Sequence, residues 1–333
     1  MTIEELLARY ERGLRNAFLE SIKDITSRAQ IGQITRALEQ GDINAAVEAI
    51  FVDRAAYAKF EALIEEAYGE GGIVGIEDAG DIRDTDGQRT IIRFNGRNLR
   101  AERILREHSS NMVTNIIREQ RQGIREHLTA GMEAGNNPRS TALNVVGRID
   151  RASQRRTGGI IGLNLPQQRA VLKAREQLES GDFSAFKQRK LRDKRFDSVL
   201  NKAAIEGRSL TADEVNRIIA RYNDRLLKLR GVTIGRTESL TALNMGAYQA
   251  MQQIIDSGKV DAENIEGTWD SAGDLRVRFS HAVVDGKKVR FGQSWVMPSG
   301  VLMKHPGDPA GGGAEVINCR CVARWRINYR PNR

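Results

Sequence analysis

The sequence predicts an α+β protein: a long, mainly helical N-terminal and middle region, then a small C-terminal module of one helix on a mostly antiparallel sheet. Through most of the chain before Gly258, apolar residues recur every three or four positions, as on the buried face of a helix. After Gly258 they alternate with polar residues, as in strands. All three tryptophans and both cysteines of the 333 residues lie beyond residue 268.

Charge divides the chain into three predicted segments. Residues 1–98 form an acidic helical segment, and the net charge over 1–99 is −6. Residues 99–230 form a basic helical region, with a net charge of +12 over 100–230. Residues 231–333 carry a net charge of +3 and form the α+β module. Shifts of composition as sharp as these are typical of domain boundaries.

The helices of the first two segments follow from apolar spacing. One helix begins near Glu4, and a second runs from Ile43 to Tyr68. Residues 69–98 are rich in Gly and Asp, which predicts a loop or hairpin, with RTIIRF as its only strand candidate. Helix returns over 99–134.

The sequence GNNP at 135–138 predicts a stop, after which Ser140 or Thr141 caps the next helix. Residues 148–165 combine arginine with glycine and predict a hinge or bend. Helices resume over 166–230, where Thr211 and Glu214 form a capping box, and another helix covers 233–256.

The strands of the C-terminal module are five alternating runs: IEGTWDS, LRVRFSHAVVD, KKVRFGQ, VLMKHPG and VINCRCVARWRI. Asp285-Gly286 predicts a hairpin between two of them. The glycine-rich residues 307–313 predict a flexible loop.

Composition excludes several classes of protein. No stretch approaches the roughly 18 to 20 apolar residues of a membrane span. The N-terminal sequence MTIEELLARYERG differs from a signal peptide, so we expect synthesis in the cytoplasm. Two cysteines are too few for a secreted fold built on disulfides.

Two histidines and both cysteines form a candidate metal site. The residues are His281, His305, Cys319 and Cys321, a ligand set suited to zinc. Cys319 and Cys321 are two apart on a predicted strand and so face the same side. Alternatively, both cysteines are core residues. A disulfide between them is disfavoured because that spacing strains it on an extended strand.

Basic residues of the middle region are candidates for nucleic-acid binding without sequence preference, through phosphate contacts. They are Arg148, Arg151, Arg155, Arg156, Lys187, Arg189, Lys190, Arg192, Lys194 and Arg195. Alternatively, they form a solvated helix surface.

Catalytic signals are weak. The chain has no nucleophile elbow, P-loop or H-E-x-x-H motif. Asp270, Asp274 and His281 could chelate a cation, although the two aspartates also suit a turn. Arg236 and Glu238 point in different directions on one helix, and we expect an ion network that ties this helix to the sheet.

The C-terminal third resembles the Mu F-like family of tailed-phage minor head proteins, also called phage head morphogenesis proteins. The runs that carry the resemblance are IGRTESLTALNMGAYQAM, TWDSAGDLRVRFSHAVVDGKKV, HPGD and INCRC. The matching positions are Arg236, Thr237, Glu238, Asn244, Gly246, Trp269, Asp270, His281, Asp285, Gly286, Pro306, Gly307, Asp308, Asn318, Cys319, Arg320 and Cys321.

The resemblance implies a virion component. Such a protein is made in the host cytoplasm, enters the head in few copies, associates with the portal protein and contacts packaged double-stranded DNA. Scaffold or major capsid protein is a further expected partner, and a membrane is not. Two alternatives remain: a metal-dependent phage nuclease or toxin-like enzyme that uses His281 with Cys319 and Cys321, or a nucleic-acid-binding protein outside the virion.

Overall fold

The computed structural model describes residues 3–84, 86–150 and 153–329. Within these ranges the chain forms twelve α-helices and seven short strands, which confirms the predicted α+β class. The helices are α1 (Ile3–Arg28), α2 (Ile31–Glu39), α3 (Ile43–Glu48), α4 (Ala58–Asp78), α5 (Leu99–Glu133), α6 (Pro138–Val146), α7 (Leu165–Glu179), α8 (Phe183–Lys187), α9 (Asp197–Glu206), α10 (Ala212–Asp256), α11 (Phe279–Val284) and α12 (Gly312–Val316). The strands are β1 (Arg148–Ile149), β2 (Arg156–Thr157), β3 (Ile265–Asp270), β4 (Lys288–Arg290), β5 (Trp295–Val296), β6 (Leu302–Met303) and β7 (Val322–Ile327).

The chain packs as two units, each built from separate segments. Unit 1 comprises Met1–Ala17, Lys59–Ser110 and Val232–Arg333, and unit 2 comprises Phe18–Ala58 and Asn111–Gly231. This division differs from the three consecutive segments that charge predicts, because α1, α5 and α10 each contribute residues to both units.

Unit 1 is centred on a three-stranded antiparallel sheet of order β4-β3-β7, whose core side is covered by α10. Trp269, Trp295 and Trp325 are buried there and meet edge to face, with ring centroids 5.5 and 5.7 Å apart. Gly267 on β3 lies against the ring of Trp325, where a Cβ would come within 2.5 Å of a ring atom. The tryptophans that set this region apart in sequence therefore form the core of the predicted module.

Helix α4 runs through residues 69–78, so the prediction of a loop or hairpin over 69–98 is wrong for this part. The glycines act in packing rather than in turns. A Cβ on Gly71 would lie 2.3 Å from the carbonyl oxygen of Leu243, and one on Gly75 would lie 2.7 Å from the Cα of Ala247. Helices α4 and α10 thus touch backbone to backbone.

Residues 79–84 and 86–98 are irregular apart from one isolated bridge. The predicted strand RTIIRF is represented only by one isolated bridge, between Arg83 and Arg89. Ile92 and Phe94 nevertheless pack against the core of unit 1. The apolar residues of RTIIRF therefore cover the core, although the segment does not form a strand.

The C-terminal module contains more helix than alternation predicts. LRVRFSHAVVD is not a strand, because it folds into a turn and α11, which buries His281 and Val284. Asp285-Gly286 therefore joins α11 to β4 and is not a hairpin between strands. Residues 307–313, predicted as a flexible loop, contain a 3-10 turn at Pro309–Gly311 and the start of α12.

The segment 148–165 in unit 2 bends, as predicted, but its second half is buried. Its first half forms the β1–β2 hairpin. Gly162 then donates its N–H to Gln120 Oε1, and its carbonyl accepts a hydrogen bond from Arg230, itself buried. Paired backbone groups let a glycine-bearing segment cross the core without a hydrogen-bond deficit.

Two helix caps test the local predictions. Asn137, rather than Ser140 or Thr141, caps α6 by accepting the N–H of Ser140, and Pro138 occupies the first helical position. The capping box is confirmed: Glu214 N–H donates to Thr211 Oγ1, and Thr211 N–H donates to Glu214 Oε2.

Within the described ranges, no helix combines the length and the apolar character that crossing a membrane requires.

Substitution of Gly71 by Ala tests the contact between α4 and α10. We expect Gly71→Ala to lower the free energy of unfolding by about 1–3 kcal/mol, because the new methyl group would collide with the backbone of α10. Gly69→Ala is the matched control: it lies on the same helix with open space around it, and should stabilise by about 0.5–1 kcal/mol. Urea unfolding measures both, and equal effects would contradict the contact.

Candidate metal centre

His281, Cys319 and Cys321 meet in the interior of unit 1. Their ligand atoms all lie within 4.8 Å of one another. His281 Nδ1 is 3.3 Å from Cys321 Sγ and 3.4 Å from Cys319 Sγ. Each of the three residues is at most 2% exposed. The group could hold a metal ion, as predicted.

The backbone brings these side chains together from two elements. His281 is the third residue of α11. Alternation predicts that both cysteines lie on a strand, but they precede β7, which begins at Val322. Asn318 has a φ of 59°, and its N–H donates to Thr237 Oγ1 on α10. This left-handed residue reverses the chain just before Cys319, in a conformation that Asn tolerates better than most residues.

The two thiols share hydrogen bonds. A hydrogen bond from the Cys321 thiol lowers the pKa of Cys319, and the Cys321 N–H also donates to the Cys319 sulfur at 3.4 Å. The same thiol–thiol hydrogen bond, together with burial, raises the pKa of Cys321. Ionisation is therefore favoured at Cys319 over Cys321, and a cation beside the two sulfurs would favour ionisation of both.

Glu315 on α12 approaches the other face of the site, and sequence reasoning missed it. Its Oε2 is 3.1 Å from His281 Nε2 and accepts a hydrogen bond of 2.7 Å from Ser280. Its Oε1 accepts one of 3.1 Å from Ser299. Burial opposes ionisation of Glu315, but hydrogen bonds from the two serines and the charge of His281 outweigh it, so the pKa is lowered. The only sequence signal was a lone acidic residue in AGGGAEVINC.

A small cavity of about 10 Å³ adjoins the three ligand atoms. Arg278, Asn318 and Arg320 contribute to its lining. This is about the size of one water molecule or ion. The space beside the ligand atoms could hold one ion.

His305 lies outside the group, so the predicted set of four ligands becomes three. Its Nδ1 is 3.0 Å from the carbonyl oxygen of Pro306, and its ring is 5.8 Å from that of Tyr248. Burial lowers its pKa. The residues after it are held in a tight turn, since Thr241 on α10 donates to the Gly307 carbonyl and Asp308 accepts the Lys304 N–H. This turn keeps His305 under α10 and away from the cysteines.

The remaining motif residues connect α10 to the elements around the site. Asn244 donates to the Cys321 carbonyl and accepts the Ala323 N–H, which secures the start of β7. Gly286 N–H donates to the Trp269 carbonyl, and Asp285 accepts the Ser271 N–H. Two ion pairs, Asp270 with Arg324 and Asp274 with Arg320, lie at the ends of this region.

The prediction that Arg236 and Glu238 tie α10 to the sheet is wrong. Arg236 binds Glu11 on α1, with a shortest distance of 2.8 Å. Glu238 lies 3.0 Å from His108 on α5. The network links helices because these two residues lie before the part of α10 that contacts the sheet.

The basic residues of unit 2 divide into two groups. Several are engaged within the fold: Arg148 with Asn144, Arg156 with the Gly147 carbonyl, Lys187 with Asn201, Arg189 with Gln177 and Tyr222, Arg192 with Asp197, and Arg195 with Asp193. The bond from Arg195 holds the pKa of Asp193 at about 2. Arg155, Lys190 and Lys194 are exposed, and Arg151 lies outside the described residues.

The donor types and their burial would suit a metal ion at this centre. Two sulfurs and one imidazole suit zinc, and the second imidazole nitrogen contacts a carboxylate, as is usual for a metal-bound histidine. Comparisons of the chain with protein-family models, with curated proteins and with solved structures find no match.

Proposed function

We propose that this chain is a structural and assembly protein of a tailed-phage head: a low-copy minor capsid protein, located inside the virion near the portal vertex. The supporting observation is that residues carrying the Mu F-like resemblance, although far apart in sequence, meet around one buried centre. Thr237 and Asn244 on α10 contact the segment that holds Cys319 and Cys321. The motif therefore serves to join elements, as expected of a protein that acts by its shape.

The rival proposal, a nuclease that uses His281, finds less support. A catalytic imidazole must reach the phosphodiester, but His281 is 1% exposed. Both of its ring nitrogens also have partners in the fold. Cutting of DNA with Mg²⁺, Mn²⁺ or Zn²⁺ that His281→Ala abolishes in a folded protein would favour the rival.

Particle assembly tests the proposed function. The chain is co-expressed with the portal, scaffold and major capsid proteins of the same phage, and the particles are sedimented. We expect it in the particles in few copies, by quantitative mass spectrometry, because it binds at a single vertex. Particles assembled without the portal protein are the control and should lack it. Absence from both preparations, or copy numbers near that of the major capsid protein, would refute the proposal.

The metal in this proposal is zinc, held by Cys319, Cys321 and His281. Thiolates are soft ligands and imidazole suits zinc, so this set binds zinc in preference to magnesium or calcium. When bound, zinc supplies a cross-link in a region of short helices and strands. The chain's own residues set its position: α11 presents the imidazole, and the turn at Asn318 presents both sulfurs.

Metal analysis tests the zinc site. We expect about one zinc per chain in protein purified without added metal, and a lower melting temperature after chelation. The double variant Cys319→Ser, Cys321→Ser should lose the zinc. His305→Gln is the matched control and should keep it, because His305 faces Tyr248 and not the cysteines. A chain without zinc, and a double variant as stable as wild type, would identify the cysteines as core residues.

The DNA contact in this proposal uses Arg155, Lys190 and Lys194, which are exposed; Arg195 is also exposed but is paired with Asp193. Phosphate contacts release counterions, so binding should weaken steeply with salt and show no sequence preference. Reversing these three charges should reduce the slope of log K against log salt by about 2–3. Reversal of Lys287, Arg290 and Arg326, which are exposed in unit 1, is the control and should leave it unchanged. An unchanged slope in the first variant would exclude this surface.

A further inference from the structure

We propose that Glu315 is a positioning residue that orients His281 so that Nδ1, rather than Nε2, binds the metal. This inference rests on the zinc site proposed above. Three observations carry it: the contacts of the imidazole, the restraint on the carboxylate and the place of the carboxylate relative to the sulfurs.

The imidazole of His281 lies between the carboxylate and the thiols. Nε2 faces Glu315 Oε2 at 3.1 Å, whereas Nδ1 faces the two sulfurs at 3.3 and 3.4 Å. A carboxylate oxygen placed at Nε2 accepts a hydrogen bond from Nε2–H, which leaves Nδ1, directed at the sulfurs, as the nitrogen that can bind a metal ion. The ligand atom is thereby selected by the residue opposite the metal.

The carboxylate of Glu315 is itself held from two other elements. Ser280 on α11 donates to Oε2, and Ser299 in the β5–β6 turn donates to Oε1. Glu315 is 6% exposed, and the edge-to-face contact between Trp269 and the imidazole, at 5.3 Å, restricts the ring from the side. Both partners of the Glu315–His281 contact are thus restrained before a metal arrives, which reduces the cost of ordering them.

Glu315 is not a metal ligand in this arrangement. Its carboxylate contacts the nitrogen that points away from the sulfurs, and the described group of potential ligands comprises only His281, Cys319 and Cys321. A carboxylate on the far nitrogen of a metal-bound histidine raises the basicity of the ligand and fixes the ring. Removal of such a partner usually costs about 10–100-fold in metal affinity.

The test compares zinc affinity in the full chain, by competition with a chromogenic chelator. Glu315→Ala should weaken zinc binding by about 10–100-fold. Glu315→Gln should recover most of this loss, since its amide oxygen can accept from Nε2–H while its NH₂ group faces Ser299. Ser299→Ala, which removes only the bond to Oε1, should have the smallest effect.

A spectroscopic measurement on wild-type protein does not depend on how the variants fold. Two-bond ¹H–¹⁵N correlations of the zinc-loaded chain should show a protonated Nε2 and a metal-bound Nδ1 at His281. A metal-bound Nε2, or Glu315→Ala with wild-type zinc affinity, would overturn the inference and leave the zinc site standing. Glu315→Gln as weak as Glu315→Ala would also overturn it. Wild type that binds no zinc would refute both the site and the inference.

Discussion

The arrangement of unit 1 depends on the backbone contact between α4 and α10. Gly71 and Gly75 on one helix, and Gly246 on the other, leave no side chain between them, and a Cβ on Gly246 would lie 2.1 Å from the Tyr68 carbonyl. The close contact fixes the position of α10 and of the polar groups that it carries. Thr237 and Asn244 on α10 bind the backbone that carries the cysteines. The geometry of the candidate metal centre thus depends on the absence of side chains at Gly71, Gly75 and Gly246.

Sequence reasoning succeeded where the signal is local. The periodicity of α5, the Thr211–Glu214 capping box and the alternation of β3 each depend on neighbouring residues, and the structure contains all three. Sequence reasoning failed where the role of a residue depends on a partner far away in the sequence. The glycines of α4 look like loop residues until Leu243 and Ala247, about 170 positions later, come against them. In α11, a helix of one and a half turns, alternation and helical spacing are hard to tell apart.

The candidate site shows the same limit. The types and proximity of His281, Cys319 and Cys321 could be predicted, because few residues combine into a soft-metal site. Glu315 could not be predicted, since a single acidic residue near a turn can serve many purposes. His305 was wrongly included because closeness in sequence does not show which way a side chain points. In the basic region, the net charge does not show which charged residues pair within the fold. Asp193 and Asp197 form ion pairs with Arg195 and Arg192, two of the arginines that the sequence assigns to DNA.

The division of the chain into interleaved units has a consequence for its synthesis. Glu4 at the start of α1 forms an ion pair with Arg324 on β7, and β7 completes the ladder with β3. A ribosome that adds roughly 5–20 residues per second needs tens of seconds to travel between these two positions. During this interval Glu4 lacks its partner Arg324, and β3 cannot form its ladder with β7. Unit 1 therefore completes its fold only once β7 has emerged, so premature termination would leave the central strand β3 paired on one side only, with β4.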